Sequence, residues 1–284
     1  MRQSIIVTGA GGYVGRSIVR HLKGKYDIIE VHRRDVDLTN RDEVRKFLTA
    51  NYHTAIIHCA IEGGSRLKVD DANVLYNNLL MFSNIMEFAL PDAKIINIGS
   101  GAEYDRRNPI RPDKPKLTIP TDPYGMSKYF IAQQLRGNPN GYNLRIFGVF
   151  DRNESETRFI KTAINSTMRG EVFNVLGPLE MSFIYMDDFI WMLERAINDE
   201  TNGVREFDCV YPNDPKNDDL TEIADYICEK DILGGRGYEV VVNKGPWTYL
   251  GTAPDWVDYS KLIGLRGGID ETYKQIKSRI TWHE

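Results

Sequence analysis

The chain has 284 residues, 42 % hydrophobic and 27 % charged, with a net charge of −4, proportions that build a packed core under a polar surface. No Lys/Arg run offers a nucleic-acid face, and no apolar stretch approaches the ~20 residues that span a bilayer. Three cysteines (Cys59, Cys209, Cys228) lack metal-ligand spacing and cannot all pair, and the start of the chain is strand-like with no charged-then-apolar leader, so a reduced, cytoplasmic, metal-free protein is expected.

In chain order, Ser4–Thr8 reads as a strand and 12–22 as a helix with Val14, Ile18, Val19 and Leu22 inward. A strand at 27–32, a helix at Arg41–Ala50, a strand at 54–58 and a long helix at 73–89 follow. The first half closes with a strand at 94–98, a helix at 124–136 and a strand at 142–147. Short apolar strands alternating with helices predict an α/β fold, a doubly wound parallel Rossmann sheet with ligands at the carboxyl ends of its strands. After about residue 150 the rhythm breaks. Helices at 157–169, 187–197 and 220–229 mix with isolated strands at 171–175, 182–185 and 239–243 and with many Gly, Pro and Asn residues. The expected division is a Rossmann domain over 1–150, with later segments such as 187–200 packing back on it, and a smaller mixed α/β lobe over 151–284.

Between the first strand and helix, Val7-Thr8-Gly9-Ala10-Gly11-Gly12-Tyr13-Val14-Gly15 carries Gly9, Gly12 and Gly15 in the spacing G-x-x-G-x-x-G. A tight strand-to-helix turn, a backbone open to pyrophosphate and a helix N-terminus that favours anions all need this pattern, and they predict a bound dinucleotide. A Gly-rich turn with no ligand is the alternative. An NAD enzyme usually places an acid at the end of the next strand, where this chain has Arg33 and Arg34. Guanidinium matches phosphate with paired donors, so NADP(H) is favoured over NAD. The alternative is solvated surface charge. Asp37-Leu38 can flank the adenine, or Asp37 can be a solvated turn aspartate.

Further on, Pro123-Tyr124-Gly125-Met126-Ser127-Lys128 places a phenol and an ammonium one helical turn apart. A phenol titrates near ~10, and a neighbouring ammonium brings it toward working range. The same lysine can bond a nicotinamide ribose, and Ser100 after the fourth strand can hold a substrate oxygen. Alone, such a pair is common on exposed helices.

Together with His58-Cys59-Ala60, Asn78, Asn84, Glu87 and Tyr104, and with the late segments 183–188 and 258–265, these motifs resemble the extended short-chain dehydrogenase/reductase family over nearly the whole chain. That family contains nucleotide-sugar epimerases, dehydratases and reductases. The segment 30–38 looks most like the NADPH-dependent 4-keto-6-deoxy-sugar reductases of GDP-fucose synthase type. The resemblance makes Tyr124 the general acid, Lys128 its electrostatic partner and Ser100 the carbonyl-oxygen ligand. It assigns Gly9, Gly12, Gly15 and Arg33 to the cofactor, with His58, Ala60 and Asn78 along its path; the Asn78 amide can equally bridge helix to sheet.

The departures narrow the chemistry. Family dehydratases carry an Asp-Glu pair where this chain has Gly101 and Ala102, while Glu103 is one step further on and is expected to point elsewhere. GDP-fucose synthases epimerise with a cysteine at the Ala102 position and a downstream histidine, and 151–159 contains no histidine. Simple carbonyl reduction of a nucleotide sugar is therefore expected. The alternatives are a 4-epimerase holding its dinucleotide tightly and a non-catalytic NADPH-binding sensor or scaffold. Where the family often has a phosphate-gripping Arg and an Asn, this chain has Met181 and Gly148; Arg158, Lys161 or Arg169 can substitute or can equally be solvated helix charges. Trp191, Trp247, Tyr249 and Trp256 invite a sugar- or base-stacking reading; core packing is favoured for Trp191 on its apolar helix, and for Trp247 and Trp256 in Gly/Pro-rich loops ligand contact is the lesser alternative. His21, His32, His53 and His283 have no partner pattern. The family's four-helix interface and the apolar Leu79, Leu80, Phe82, Tyr129 and Phe130 predict a homodimer.

Overall fold

A computed structural model describes residues 2–64, 68–112, 118–230, 237–242 and 248–280. The chain forms two compact units. The first comprises Met1–Asp105, Lys116–Arg145 and Leu193–Phe207, and the second comprises Arg106–Pro115, Ile146–Met192 and Asp208–Glu284.

The first unit begins with β1 (Ser4–Thr8), α1 (Tyr13–Leu22), β2 (Asp27–Val31), α2 (Arg41–Ala50), β3 (Ala55–His58) and α3 (Ala72–Phe88). Next come β4 (Lys94–Ser100), α4 (Pro123–Arg136) and β5 (Gly141–Ile146). The chain continues through β6 (Val149–Phe150), α5 (Phe159–Arg169), β7 (Phe173–Gly177), β8 (Glu180–Met181), β9 (Ile184–Tyr185) and α6 (Met186–Ile197). It ends with β10 (Glu206–Cys209), α7 (Pro215–Asp218), α8 (Leu220–Cys228), β11 (Tyr238–Val242), β12 (Thr248–Tyr249) and α9 (Gly264–Ile280).

A central parallel sheet runs in the order β10-β5-β4-β3-β1-β2, so the doubly wound α/β expectation holds. Ile5, Ile6 and Val7 of β1 and Ile56 and Ile57 of β3 are fully buried, as expected for strands covered by helices on both faces. Chain direction across the sheet reverses at β1: β2 lies on one side and β3 then β4 on the other. In register, Thr8 faces Val31 and His58, and His58 faces Asn97. The loops after β1, β2 and β3 therefore open at one level, while β4 continues past it to Ser100. Such a switch point is where α/β sheets bind ligands.

Besides the short elements β6, β8, α7 and β12, two further ones are absent from the sequence reading. β10 supplies a sixth strand from a segment beginning with a charged residue, Glu206, and with Asp208 in its interior. α9 is a 17-residue helix that contains Gly267 and Gly268, residues that weaken helix propensity. A Cβ on Gly268 would lie 2.6 Å from Tyr185 Cβ, so the glycine is required by close packing of α9 on β9.

In the second unit, three two-stranded pairings (β7–β11, β8–β12 and β6–β9) surround a core that includes Phe150, Ile160, Phe173, Phe183, Tyr185, Ile223 and Ile269. Trp191 and Trp256 stack at 6.5 Å, and Tyr249 lies tilted against Phe147 at 4.8 Å, so these rings pack on protein. Trp247 and His283 lie outside the described residues. Among the described residues, no helix is long and apolar enough to cross a membrane, and no cysteine forms a disulfide.

Candidate active site

The turn from β1 to α1 is shaped by its glycines. Gly9 has φ +65°, and a Cβ there would meet the Ala60 nitrogen at 2.7 Å, so the turn lies directly on the loop after β3. Gly12 donates its N–H to the Gly9 carbonyl at 2.9 Å and is the N-cap of α1, with no side-chain cap and no acid in the first turn. Tyr13 and Val14 open that turn. Gly15 is buried, and a Cβ on it would overlap the Gly9 carbonyl. An uncapped helix N-terminus behind a backbone stripped of side chains is a cradle for a pyrophosphate, so these residues fit a dinucleotide.

Beside this turn lies a cleft of about 230 Å³ at the switch point. Its walls are Gly9 and Gly12, residues 31–33 and 36–39 after β2, residues 59–62 after β3, and Met81 of α3. Arg33 spans from its wall to Glu62, Nη2 to Oε1 at 3.3 Å. Arg34 pairs with Asp35 at 3.5 Å, is 81 % exposed, and does not line the cleft. The Asp37 carboxylate accepts the Thr39 hydroxyl at 2.7 Å and the Thr39 N–H at 2.9 Å, and the hydroxyl bond foremost holds it below the usual carboxylate range. Leu38 is buried, and its carbonyl accepts from the Asn84 amide at 2.9 Å, which ties this loop to α3.

His58 does not reach the cleft; Cys59 and Ala60 line it instead. The His58 ring is 1 % exposed, packs tilted on Phe82, and shares a 2.9 Å hydrogen bond between Nδ1 and the Thr8 hydroxyl. Burial, with the Lys128 charge second, pulls its pKa down to about 3, which keeps it neutral. Asn78 is a bridge: its Oδ1 accepts the Glu62 N–H at 2.8 Å, and its Nδ2 donates to the Glu62 carbonyl at 3.0 Å and to Ser127 Oγ at 3.1 Å. Ser127 in turn donates to the Tyr124 carbonyl at 2.7 Å. One buried amide thereby couples the cleft wall to the first turn of α4.

That turn is well capped. Asp122 Oδ1 accepts the Gly125 N–H at 2.8 Å, and Pro123 occupies a first-turn position where its missing N–H costs nothing. Lys128, 4 % exposed, donates Nζ–H to the Ile98 carbonyl at 2.7 Å. Burial pulls the Lys128 ammonium down to about 8, opposed first by the field of Glu103. The Tyr124 ring lies against Gly64, where φ is +72° and a Cβ would come within 2.7 Å of the ring.

β4 runs two residues past its expected end, to Ser100, which caps the short turn Gly101–Glu103. Ser100 Oγ accepts the Ala102 N–H at 3.1 Å, an arrangement that leaves the hydroxyl hydrogen out of that contact. The Ser100 N–H donates to Glu103 Oε1 at 3.0 Å. Glu103 is 4 % exposed and also accepts from Asn143 at 3.0 Å and Arg145 at 3.3 Å. Arg145 pairs onward with Glu206, which holds Arg136 at 2.6 Å. Burial raises the Glu103 pKa, with Arg145 opposing. The sequence reading placed Glu103 away from the acid–base positions but missed its bonds to Ser100, Asn143 and Arg145, and it missed Gly64 altogether. The S-x-x-E capping box was the available signal for Glu103; nothing local marks Gly64.

A profile of the NAD dependent epimerase/dehydratase family matches residues 5–209. The chain belongs to this family. Among curated relatives, a GDP-L-fucose synthase of Sinorhizobium fredii is 35 % identical over 126 residues, 42 % of this chain and 40 % of the relative. A GDP-L-colitose synthase of Yersinia pseudotuberculosis is 32 % identical over 107 residues, 36 % of this chain and 35 % of the relative. The matches thus span well under half the length of these two relatives. Among solved structures, a GDP-mannoheptose C4 reductase of Campylobacter jejuni with NADP bound superposes with a TM-score of 0.79 at 15 % identity, covering 97 % of this chain and 98 % of that one. At that identity the likeness establishes the family fold.

In the second unit, Met181 and Gly148 are part of the apolar packing: Gly148 has no room for a side chain because a Cβ would lie 2.7 Å from the Phe183 ring. Lys161 donates to the Arg152 carbonyl at 2.6 Å, Arg158 pairs with Glu154 at 3.3 Å, and Arg169 lies 4.0 Å from Glu171. His21 and His53 bond backbone carbonyls, and His32 faces Glu30 at 3.5 Å. Of the residues expected at a dimer face, Phe82 is fully buried in the core of the first unit. Phe130 is 37 % exposed, and Tyr76 on α3 is 64 % exposed.

Proposed function

We propose that the protein is an NADPH-dependent reductase of a nucleotide-linked 4-keto-6-deoxy sugar. The observation that carries the reading is the Tyr124–Lys128 pair on the capped turn of α4, with Lys128 anchored on the strand that ends at Ser100. In this reading Gly9, Gly12 and the α1 N-terminus hold the pyrophosphate, Asp37 and Leu38 flank the adenine, and Arg33 takes the 2′-phosphate. NADPH supplies the hydride when bound. Ser100 donates a hydrogen bond to the substrate carbonyl, and Tyr124 delivers the proton to its oxygen. Lys128, held as an ammonium, stabilises the phenolate that remains. The NADP carried by the Campylobacter reductase and the sugar-nucleotide chemistry named for the curated relatives support this assignment.

Gly101 and Ala102 bring no carboxylate, and the Glu103 carboxylate is committed to Ser100, Asn143 and Arg145, which supports carbonyl reduction without dehydration or epimerisation. The test is NADPH oxidation with GDP-, dTDP-, UDP- and CDP-linked 4-keto-6-deoxy sugars. Turnover with one of them supports the reading and names the base. A dinucleotide that co-purifies and resists dialysis, with no net oxidation, would replace it with a 4-epimerase.

Lys128 sets an expected pH limit. An ammonium is lost as pH rises through its pKa, so kcat/KM for reduction is expected to fall above pH about 8. A profile flat from pH ~7 to ~9.5 would remove Lys128 from this role. We further propose a cytoplasmic homodimer through α3 and α4, where Tyr76 and Phe130 stay exposed and Leu79 and Leu80 are only partly buried. Light scattering is expected to give the mass of two chains; the mass of one would overturn it.

A further inference from the structure

We infer that Glu62 sets how strongly this cleft discriminates NADPH from NADH, by competing with the 2′-phosphate for Arg33. The inference rests on the proposed reading of the cleft as a dinucleotide site. In the sheet, β1 lies between β2 and β3. Arg33 follows β2 and Glu62 follows β3, so their 3.3 Å ion pair crosses above the end of β1, beside the glycine turn. A ribose entering between these walls meets the pair.

The two partners are not equally mobile. Arg33 is 84 % exposed, a long side chain that has reached across to the carboxylate. Glu62 is preplaced. Its Oε2 accepts the Asn77 amide at 2.8 Å, and Asn78 bonds both its N–H and its carbonyl. Cofactor binding therefore moves the guanidinium while the carboxylate stays.

The consequences differ for the two dinucleotides. A 2′-phosphate takes the Arg33 fork with paired, charge-assisted bonds, but it must first displace Glu62 and then lies near a fixed negative charge. A ribose with free hydroxyls can donate to that same carboxylate and needs no displacement. Glu62 thus works against NADPH and for NADH, and it holds the preference below what Arg33 alone would impose.

The test is Glu62→Gln, an isostere whose amide oxygen can still accept from Asn77. Dissociation constants for NADPH and NADH are read from nicotinamide fluorescence, with Arg33→Gln and the double variant alongside. NADPH is expected to bind about fivefold tighter to Glu62→Gln, the size of a relieved exposed ion pair, while NADH binds no better. In the Arg33→Gln background the advantage gained for NADPH should largely vanish. An unchanged NADPH/NADH ratio, or equal shifts for both, would overturn the inference and leave Glu62 as loop structure. If Arg33→Gln itself leaves NADPH affinity unaltered, Arg33 does not hold the 2′-phosphate and the inference falls with that contact; if the wild type binds neither dinucleotide, the cofactor reading of the cleft is what fails.

Discussion

Tyr124→Phe is expected to lower kcat by at least ~100-fold while NADPH affinity stays at the wild-type value. The substitution removes one hydroxyl. The ring contact with Gly64 is retained, because it involves ring carbons, and the tie from Asn78 through Ser127 runs to the Tyr124 backbone carbonyl. Fold and cleft should therefore survive, so loss of turnover would report the proton transfer alone. Single-turnover oxidation of NADPH, with binding measured by fluorescence in the same samples, separates the two. A variant that retains most of its turnover would show that another group protonates the oxygen, and would leave Ser100 and Lys128 as the groups to test.

Breaking the buried pair beneath Ser100 is expected to be the costliest structural change. Glu103→Ala would leave Arg145, 9 % exposed, with Glu206 as its remaining carboxylate beside the cavity left by Glu103, and would orphan the Ser100 N–H. Leaving a buried charge wholly unpaired typically costs ~3–5 kcal/mol, and with Glu206 still on Arg145 the loss is expected toward the lower end, ~3 kcal/mol, a large part of the stability of a domain. Urea unfolding of the wild type, Glu103→Ala and the double variant Glu103→Met/Arg145→Met measures this. The double variant should recover much of the loss, since apolar replacement of a buried pair is often neutral. A loss under ~1 kcal/mol in the single variant would mean that water relaxes into the site and the pair is not truly desolvated. The milder Glu103→Gln carries a second readout. Glu103 holds the Lys128 pKa up, so its neutralisation should shift the alkaline limb of the pH profile to lower pH.

Both expectations depend on features that differ in how far the sequence reveals them. The alternation of strands and helices through residue 147 needs only local patterning, and each of those elements lies within a residue or two of its expected place. The failures are instructive. α9 was hidden because Gly267 and Gly268 oppose a helix locally, yet Gly268 is what lets the helix approach Tyr185. β10 was hidden because Glu206 reads as surface, whereas here it is the counter-charge of Arg145 and Arg136.

The candidate site divides in the same way. The glycine spacing and the Tyr124–Lys128 interval are local geometry, set by one turn and by the helical repeat, and so they are legible along the chain. By contrast, the choice between Arg33 and Arg34, the removal of His58 from the cleft, the bridging role of Asn78 and the pairing of Arg33 with Glu62 all depend on which strand end lies beside which. That neighbourhood is fixed by the sheet order β3-β1-β2, which joins segments ~30 residues apart. The sequence by itself determined the alternating fold and the chemical kit. Only the tertiary structure decided which groups face the cleft and which are spent in the core, because burial and charge pairing arise between segments that no local pattern connects.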